Sequence, residues 1–402
     1  MRVAVATTDG MVISKHFGKT PEFCIIDIDE FSGTWKITER RVNSPACREG
    51  EHDDRAFEKS ADVVADCDTV FVSKLGPRAR MALERRGIQV LEIFGFIDET
   101  LEKYIDYLRK SRPKRPKHRD VMTEHPCFSD GSQKRRGRLH LPVSRSCNIQ
   151  CRFCVRALNK NENRPGVSGG ILPAGEAVET VSKALSLCPE ITVVGIAGPG
   201  DALASPEAIE VFRLVHEKFP NLIKCLSTNG LALPGKGKAL DDAGVRSVTV
   251  TVNAVDPFIA DEVVSHIVCD GQVMRGTEAG RLLIERQLWG IREVSDIGMI
   301  VKVNTVLIPT INDRHIEEIA QAVKEAGASM HNIIPLIPQH ELSHIPAPTC
   351  EELGAARDAA GKHLTQFRHC QHCRADACGV PGKSDFSGSL YAGRILETFS
   401  HG

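Results

Sequence analysis

The chain has 402 residues and a formal net charge of −1, enough length for two or three domains with real cores. Its 42% hydrophobic and 26% charged content is ordinary for a soluble globular protein, and the near-neutral balance argues against nucleic acid or a membrane surface as a partner. The first residues, MRVAVATTDG, lack the apolar core of a signal peptide, and no apolar run approaches the ~18 residues of a membrane span. Fourteen cysteines without a secretory signal point to metal or redox chemistry instead of disulfides. Cytoplasmic location and oxygen sensitivity are the expectations.

In chain order, Arg2–Thr7 reads as a buried strand ending at the Asp9-Gly10 turn. Strands are predicted at Phe23–Ile28 and Thr34–Thr38, parted by Ser32-Gly33, then a helix from Arg55 to Asp66 and a strand at Thr69–Val72. Gly76-Pro77 opens a helix, with proline tolerated in the first turn, and Gly87 closes it. Ile88–Ile93 is a further strand and Ile97–Leu108 a final helix. The strand–helix–strand unit from Thr69 to Ile93 implies a parallel pair with a right-handed crossover. Residues 1–111 thus form a small α/β domain with a mixed sheet. Cys24, Cys47 and Cys67 are too scattered to make a site by spacing, and Cys24 is expected to pack in the sheet. Residues 112–121 continue a proline-broken basic run that begins at Lys110; without interleaved aromatics it reads as a linker.

Residues 122–402 alternate strands with helices. The strands are Leu139–Ser144, Ile191–Ile196, Leu222–Leu226, Ser247–Val252, Ile300–Val306 and Asn332–Leu336. Helices fall at Glu176–Leu187, Pro206–Lys218, Lys236–Ala243, Glu278–Ile297 and Arg314–Ala326. This alternation means a parallel sheet, and six units fit a partial (β/α)6 barrel.

The first of these strands runs into Cys147-Asn-Ile-Gln-Cys151-Arg-Phe-Cys154. Cubane iron–sulfur clusters are held by cysteine thiolates, normally four. Three close thiolates leave one iron open, and an open position binds a reactant. S-adenosylmethionine suits it, because its amine and carboxylate chelate iron and an electron from the cluster cleaves its sulfonium to a 5′-deoxyadenosyl radical. A structural zinc site is the alternative, but zinc sites usually show paired Cys-x2-Cys groups. In barrels, chemistry gathers at the C-terminal strand ends. After the second strand comes Ala197-Gly-Pro-Gly-Asp201, after the third Ser227-Thr-Asn-Gly230, after the fourth Asn253-Ala-Val-Asp256, and the fifth, with Lys302 and Asn304, runs into Val306-Leu-Ile-Pro309. Gly198 and Asp201 are the candidates for the methionyl moiety. Ser227, Asn253 and Val306 are the candidates for ribose and adenine. Cys370-x2-Cys373 in the tail is metal-ligand spacing by itself, either a zinc knuckle or, with Cys127 folded back over the barrel mouth, a second iron–sulfur site.

Three resemblances follow from these motifs. The three-cysteine loop after a first strand resembles the radical S-adenosylmethionine superfamily, and residues 1–111, with His16-Phe17-Gly18, resemble the NifX/NifY type of cofactor-binding domain, which has a ribonuclease-H-like fold. That second resemblance makes His16 a candidate to touch a cluster, against the plain reading of a loop histidine. CNIQCRFC, ENRPGV, GIAGPGD, STNGLALP, VTVNAVDP, VKVNTVLIP, HNIIPLI, HCQHCRADA and the upstream HPCF together look like the NifB family of nitrogenase cofactor maturases. The resemblance implies a lyase-type radical enzyme that fuses two [4Fe-4S] precursors around a carbide drawn from S-adenosylmethionine. It implies Cys147, Cys151 and Cys154 as radical-cluster ligands, Cys127, Cys370 and Cys373 as one precursor site, and Cys225 as a ligand at the other. It also implies cluster-donor, electron-donor and cofactor-carrier proteins as partners.

The chain departs from that pattern in two places. Gln133-Lys-Arg-Arg136 stands where a histidine-bearing stretch is expected, and Ala157-Leu-Asn-Lys160 stands where a cysteine is expected, while Glu162 and Arg164 are kept. Cys225 is then the one recognisable ligand of the second precursor, with His125, His140 or Cys378 as substitutes that spacing does not decide between. The alternatives are a radical enzyme with one auxiliary cluster and another substrate, or a non-catalytic iron–sulfur carrier.

Overall fold

The computed structural model describes residues 1–28, 34–45, 47–48, 51–52, 54–111, 118–128 and 135–391. The predicted Ser32-Gly33 turn, most of the basic run, and Gln133 and Lys134 lie outside them. The chain divides into two compact units, Met1–Pro113 and Lys114–Gly402.

In the first unit the main sheet is built from β1 (Arg2–Ala6), β2 (Glu22–Ile28), β3 (Trp35–Val42), β4 (Thr69–Val72) and β5 (Gln89–Glu92), in the order β3-β2-β1-β4-β5. β2 runs antiparallel to both β1 and β3, while β4 is parallel to β1 and β5, so the sheet is mixed. Strand residues alternate between the two faces. Ala4, Ala6, Phe23, Ile25, Val70 and Val72 pack on one side with Phe57 and Leu83, from the helices Asp54–Asp62 and Pro77–Glu84. Val3, Val5, Cys24, Ile26 and Phe71 pack on the other with Leu101 and Tyr104, from the helix Ile97–Ser111. Cys24 therefore belongs to the core, as expected. His16 is exposed, and its backbone makes a parallel bridge to Lys74.

The second unit is a curled sheet of β6 (Gly137–His140), β7 (Ile191–Ile196), β8 (Ile223–Thr228), β9 (Val245–Thr251), β10 (Ile300–Leu307) and β11 (Met330–Pro335). Each strand pairs in parallel with the next, and β12 (Cys378–Gly379) closes the β6 edge antiparallel. This is the partial barrel that the six predicted strand–helix units implied. Outward residues such as Leu139, Val194, Leu226, Val248 and Val301 pack on the surrounding helices. The inward residues form layers. At one end Val193, Ile223, Ile300 and Met330 are capped by Val121, Phe128 and Phe367. Two residues further along lie Gly195, Cys225 and Lys302, and two further again Ala197, Ser227 and Asn304. A rise of about 3.3 Å per residue puts roughly 6–7 Å between layers. The floor is apolar and the chemistry begins one layer above it.

An element that bears on the site had no counterpart in the sequence reading. The hairpin Val264–Cys269 and Gln272–Met274 pairs antiparallel with Ile149–Cys151, so the three-cysteine loop is stapled through its own backbone.

Candidate metal and cofactor site

The loop after β6 is held from two directions. Cys151 pairs with Val264 in the hairpin. On the other side, Gly200 N–H donates to Ser144 O at 2.9 Å and Asp201 N–H to Ser146 O at 2.8 Å. A methyl group at Gly200 would fall 2.0 Å from the Ser146 carbonyl oxygen, so this close approach requires glycine. The loop after β7 is thus zipped onto the chain just ahead of Cys147.

Cys147, Cys151 and Cys154 line one cavity of about 210 Å³ with Asp201, Ser227 and Asn253. Burial pushes the Cys147 thiol up to about 11, against the opposing charge of Arg156. Cys151 is driven well above the ordinary thiol range by burial and then by Cys154 and Cys147 beside it. Buried thiols crowded together in this way want a shared cation, and a metal deprotonates such thiols outright. The donor set fits a cluster with three protein ligands. Arg156, which was not anticipated, is 8% exposed, donates to Ile149 O at 2.9 Å, and carries its charge next to all three sulfurs. Asn229 Nδ2 donates to Cys147 Sγ at 3.7 Å.

Asp201 is fully engaged by the protein. Its carboxylate accepts from Leu203 N–H at 2.9 Å, from Asn229 N–H at 2.5 Å and from the Thr228 hydroxyl at 3.0 Å. It joins the loops after β7 and β8 and has little acceptor capacity left for a ligand amine. Gly198, at φ 125°, is not on the wall of this cavity; a methyl there would meet Ala375 at 3.4 Å. Asn253 Oδ1 accepts from Val306 N–H at 2.8 Å, and Val306 itself lines the neighbouring cavity. Gln287 is a further wall residue that the sequence reading missed. Its Nε2 donates to Asn229 O at 2.7 Å and Thr251 O at 2.9 Å. The available signal was a polar residue inside the apolar stripe Leu283, Ile284, Gly290, Ile291 of a long helix.

That second cavity, of about 330 Å³, contains Cys127, Cys225, Cys370 and Cys373. It shares Phe153, Cys154, Gly166, Ala197, Ser227 and Thr251 with the first. Burial pushes Cys127 up to about 12, with Cys373, Cys225 and Cys370 adding to the rise and Lys302 opposing it. Arg138 donates to Cys373 Sγ at 3.0 and 3.2 Å and to Gly379 O at 2.8 Å. The tail carrying Cys370 and Cys373 is latched by Arg374, which pairs with Asp376 at 2.8 Å and donates to the carbonyls of Asn159 and Glu162. Among the described residues no three His, Cys, Asp or Glu side chains close on a single-ion position; the thiols stand around a larger space.

Of the three substitute ligands, the structure separates one clearly. Cys378 sits in β12, 1% exposed in the outer core, and is not on the cavity wall. His125 is on the wall, with Nδ1 accepting from Cys127 N–H at 3.0 Å. His140 pairs with Gly195, and Gly195 pairs with Cys225, so the histidine and the cysteine flank a residue without a side chain. His140 Nδ1 donates to Arg374 O at 2.9 Å, which leaves the Nε2 lone pair as a ligand atom. Burial, and then Arg138, lower its imidazole to about 4, so it is neutral, the form that binds metal. In the stretch where a cysteine was expected, Asn159 turns its side chain to Glu162 and to the backbone of residues 161 and 162.

Residues 1–107 match the family described as dinitrogenase iron-molybdenum cofactor, and residues 141–323 match the radical SAM superfamily. The chain is 47% identical over 269 residues to the FeMo cofactor biosynthesis protein NifB of Methanocaldococcus infernus, covering 66% of this chain and 89% of that protein. It is 43% identical over 272 residues to the protein of the same name from Klebsiella pneumoniae, covering 66% of this chain and 58% of that one. With the protein of the same name from Azotobacter vinelandii the identity is 38% over 273 residues, with 66% and 54% covered.

Proposed function

The chain belongs to the NifB family and is a radical S-adenosylmethionine enzyme of FeMo-cofactor biosynthesis, and from that premise we propose that it fuses two [4Fe-4S] substrates into an eight-iron, carbide-containing precursor by lyase-type chemistry. The observation that carries this reading is the common wall of the two cavities, formed by Cys154, Ser227 and Thr251 among others. A reactive species made in one is delivered to cargo in the other without crossing solvent.

In this reading Cys147, Cys151 and Cys154 hold the resident cluster, which with S-adenosylmethionine supplies the methyl carbon and the hydrogen-abstracting radical. Arg156 offsets the thiolate charge. Asp201 is a positioning residue that fixes the loops after β7 and β8 around the cofactor, while Ser227 and Asn253 face it. Cys127, Cys370 and Cys373 receive one precursor. Cys225 and His140 receive the other, His140 taking the place of the missing histidine-bearing stretch. The Arg374 carbonyl holds His140 by Nδ1, and the Arg374 guanidinium, at Asn159 and Glu162, together with the Asp376 carboxylate, at Gly169 N–H, holds the tail across the loop 159–169. The first unit is a cofactor-binding domain, and residues 112–121 link it to the barrel. The partners are cluster donors, electron donors and cofactor carriers, and the setting is cytoplasmic. Among the described residues no helix is long and apolar enough to cross a membrane.

The test is anaerobic reconstitution of the wild type beside a Cys147/Cys151/Cys154 triple alanine variant, read by iron content and Mössbauer spectra. About twelve irons in the wild type and about eight in the variant are expected, one cubane per site, with 5′-deoxyadenosine formed by the wild type alone. About eight in the wild type would mean that only one precursor site fills.

A further inference from the structure

The precursor cavity contains a cation that no role above uses. Its wall carries Arg138, Arg164 and Lys302 and, among the described residues, neither Asp nor Glu. Arg138 is spent on Cys373 and Gly379, and Arg164 is paired with Glu162. Lys302 is different. It stands on the inner face of β10, 7% exposed. Its Nζ lies 5.2 Å from the centre of the Phe128 ring and 5.4 Å from that of Phe367. Both rings belong to the apolar floor.

Two aromatic faces offset part of the cost of burying an ammonium, but they do not replace a counter-anion. Lys302 lines the same cavity as Cys127, Cys225 and His140, the groups assigned to both precursors. A cubane held by thiolates adds negative charge to the cavity. Two of them in one low-dielectric space repel strongly.

We propose that Lys302 is the counter-charge that seats anionic iron–sulfur cargo in this cavity, binding both precursors electrostatically without ligating iron. The inference rests on the cavity receiving iron–sulfur cargo, as proposed above. It assigns Lys302 a binding role distinct from that of any cysteine.

The experiment compares full-length Lys302→Met and Lys302→Arg with wild type after anaerobic reconstitution with iron and sulfide. Iron per chain, Mössbauer spectra and 5′-deoxyadenosine formation are measured together. The methionine variant, or Lys302→Gln should it not fold, is expected to lose about four irons while cleavage of S-adenosylmethionine persists. The arginine variant is expected to keep them. Wild-type iron and spectra in the neutral variants would overturn the proposal. Equal loss in the arginine variant would overturn it as well, because shape and not charge would then matter. A Cys127→Ala control separates the two levels: if that variant also keeps all its iron, the cargo reading itself falls, whereas iron lost there and kept in Lys302→Met removes only the lysine.

Discussion

His140 and Cys225 stand at one level of the barrel sheet, on strands either side of Gly195. A methyl group added at Gly195 would lie 3.0 Å from His140 Cδ2 and 3.4 Å from Nε2. The gap between imidazole and thiol therefore exists because the residue between them has no side chain.

This relationship predicts that His140→Ala and Cys225→Ala each remove about one cubane, some four irons, and leave cleavage of S-adenosylmethionine intact. Gly195→Val should do the same by filling the gap. Iron counts equal to wild type in all three variants would remove this pair from the cluster sites.

Gly200 gives a prediction at the radical loop. Alanine there collides with the Ser146 carbonyl oxygen, 2.0 Å from the added carbon, and backbone cannot swing aside as a flexible side chain does. Gly200→Ala should lower iron at the three-cysteine loop and cut 5′-deoxyadenosine formation at least tenfold, while the auxiliary iron signals persist. Unchanged cleavage would show that the zipped loop does not set the cysteine geometry.

Asp201 separates a positioning role from direct cofactor contact. Asp201→Ala leaves the Leu203 and Asn229 N–H groups and the Thr228 hydroxyl without their acceptor, at about 1–3 kcal/mol for each buried group. A melting point lowered by several degrees is expected, together with weakened cofactor binding. Thr228→Val, which removes one donor to the same carboxylate, should reproduce part of both effects. A binding defect at Asp201 with no trace of one at Thr228 would favour direct contact.

The extent to which this site was legible follows from periodicity. Strands buried on both faces alternate, so Ile300, Lys302, Asn304 and Val306 could be put on one face from the sequence, and the layer order with them. The three-cysteine spacing is local and equally legible. The meeting of His140 with Cys225 is not, because it depends on which strands are neighbours and on where Gly195 falls between them. The hairpin from Val264 to Met274 was missed for a related reason: its short strands sit between stronger helical signals, and what fixes it is pairing to the cysteine loop. Cys378 was plausible as a ligand by sequence distance and fails because β12 turns it into the outer core.

His331 predicts the acid response. It is fully buried, with Nε2 2.9 Å from the Thr305 hydroxyl, and burial lowers its imidazole from 6.5 to about 4. Between those values the unfolded chain binds more protons than the folded one, so stability rises with pH across this window and is lost as pH falls through it. The full contribution is on the order of 3 kcal/mol. Thermal midpoints of the apo chain should fall between about pH 6.5 and 4, and His331→Gln should flatten part of that slope. An identical slope in the variant would assign the acid sensitivity to other groups.

The layering inside the barrel also constrains how this chain tolerates change in its length. Ile223, Cys225 and Ser227 serve the floor, the precursor cavity and the wall common to both cavities, respectively, on alternate residues of β8. One residue inserted into or deleted from that strand would turn Leu226 inward and the thiol outward. Fold and chemistry are written in the same register, so a one-residue change of length within these strands disrupts both at once, whereas the helices and connections carry no such constraint.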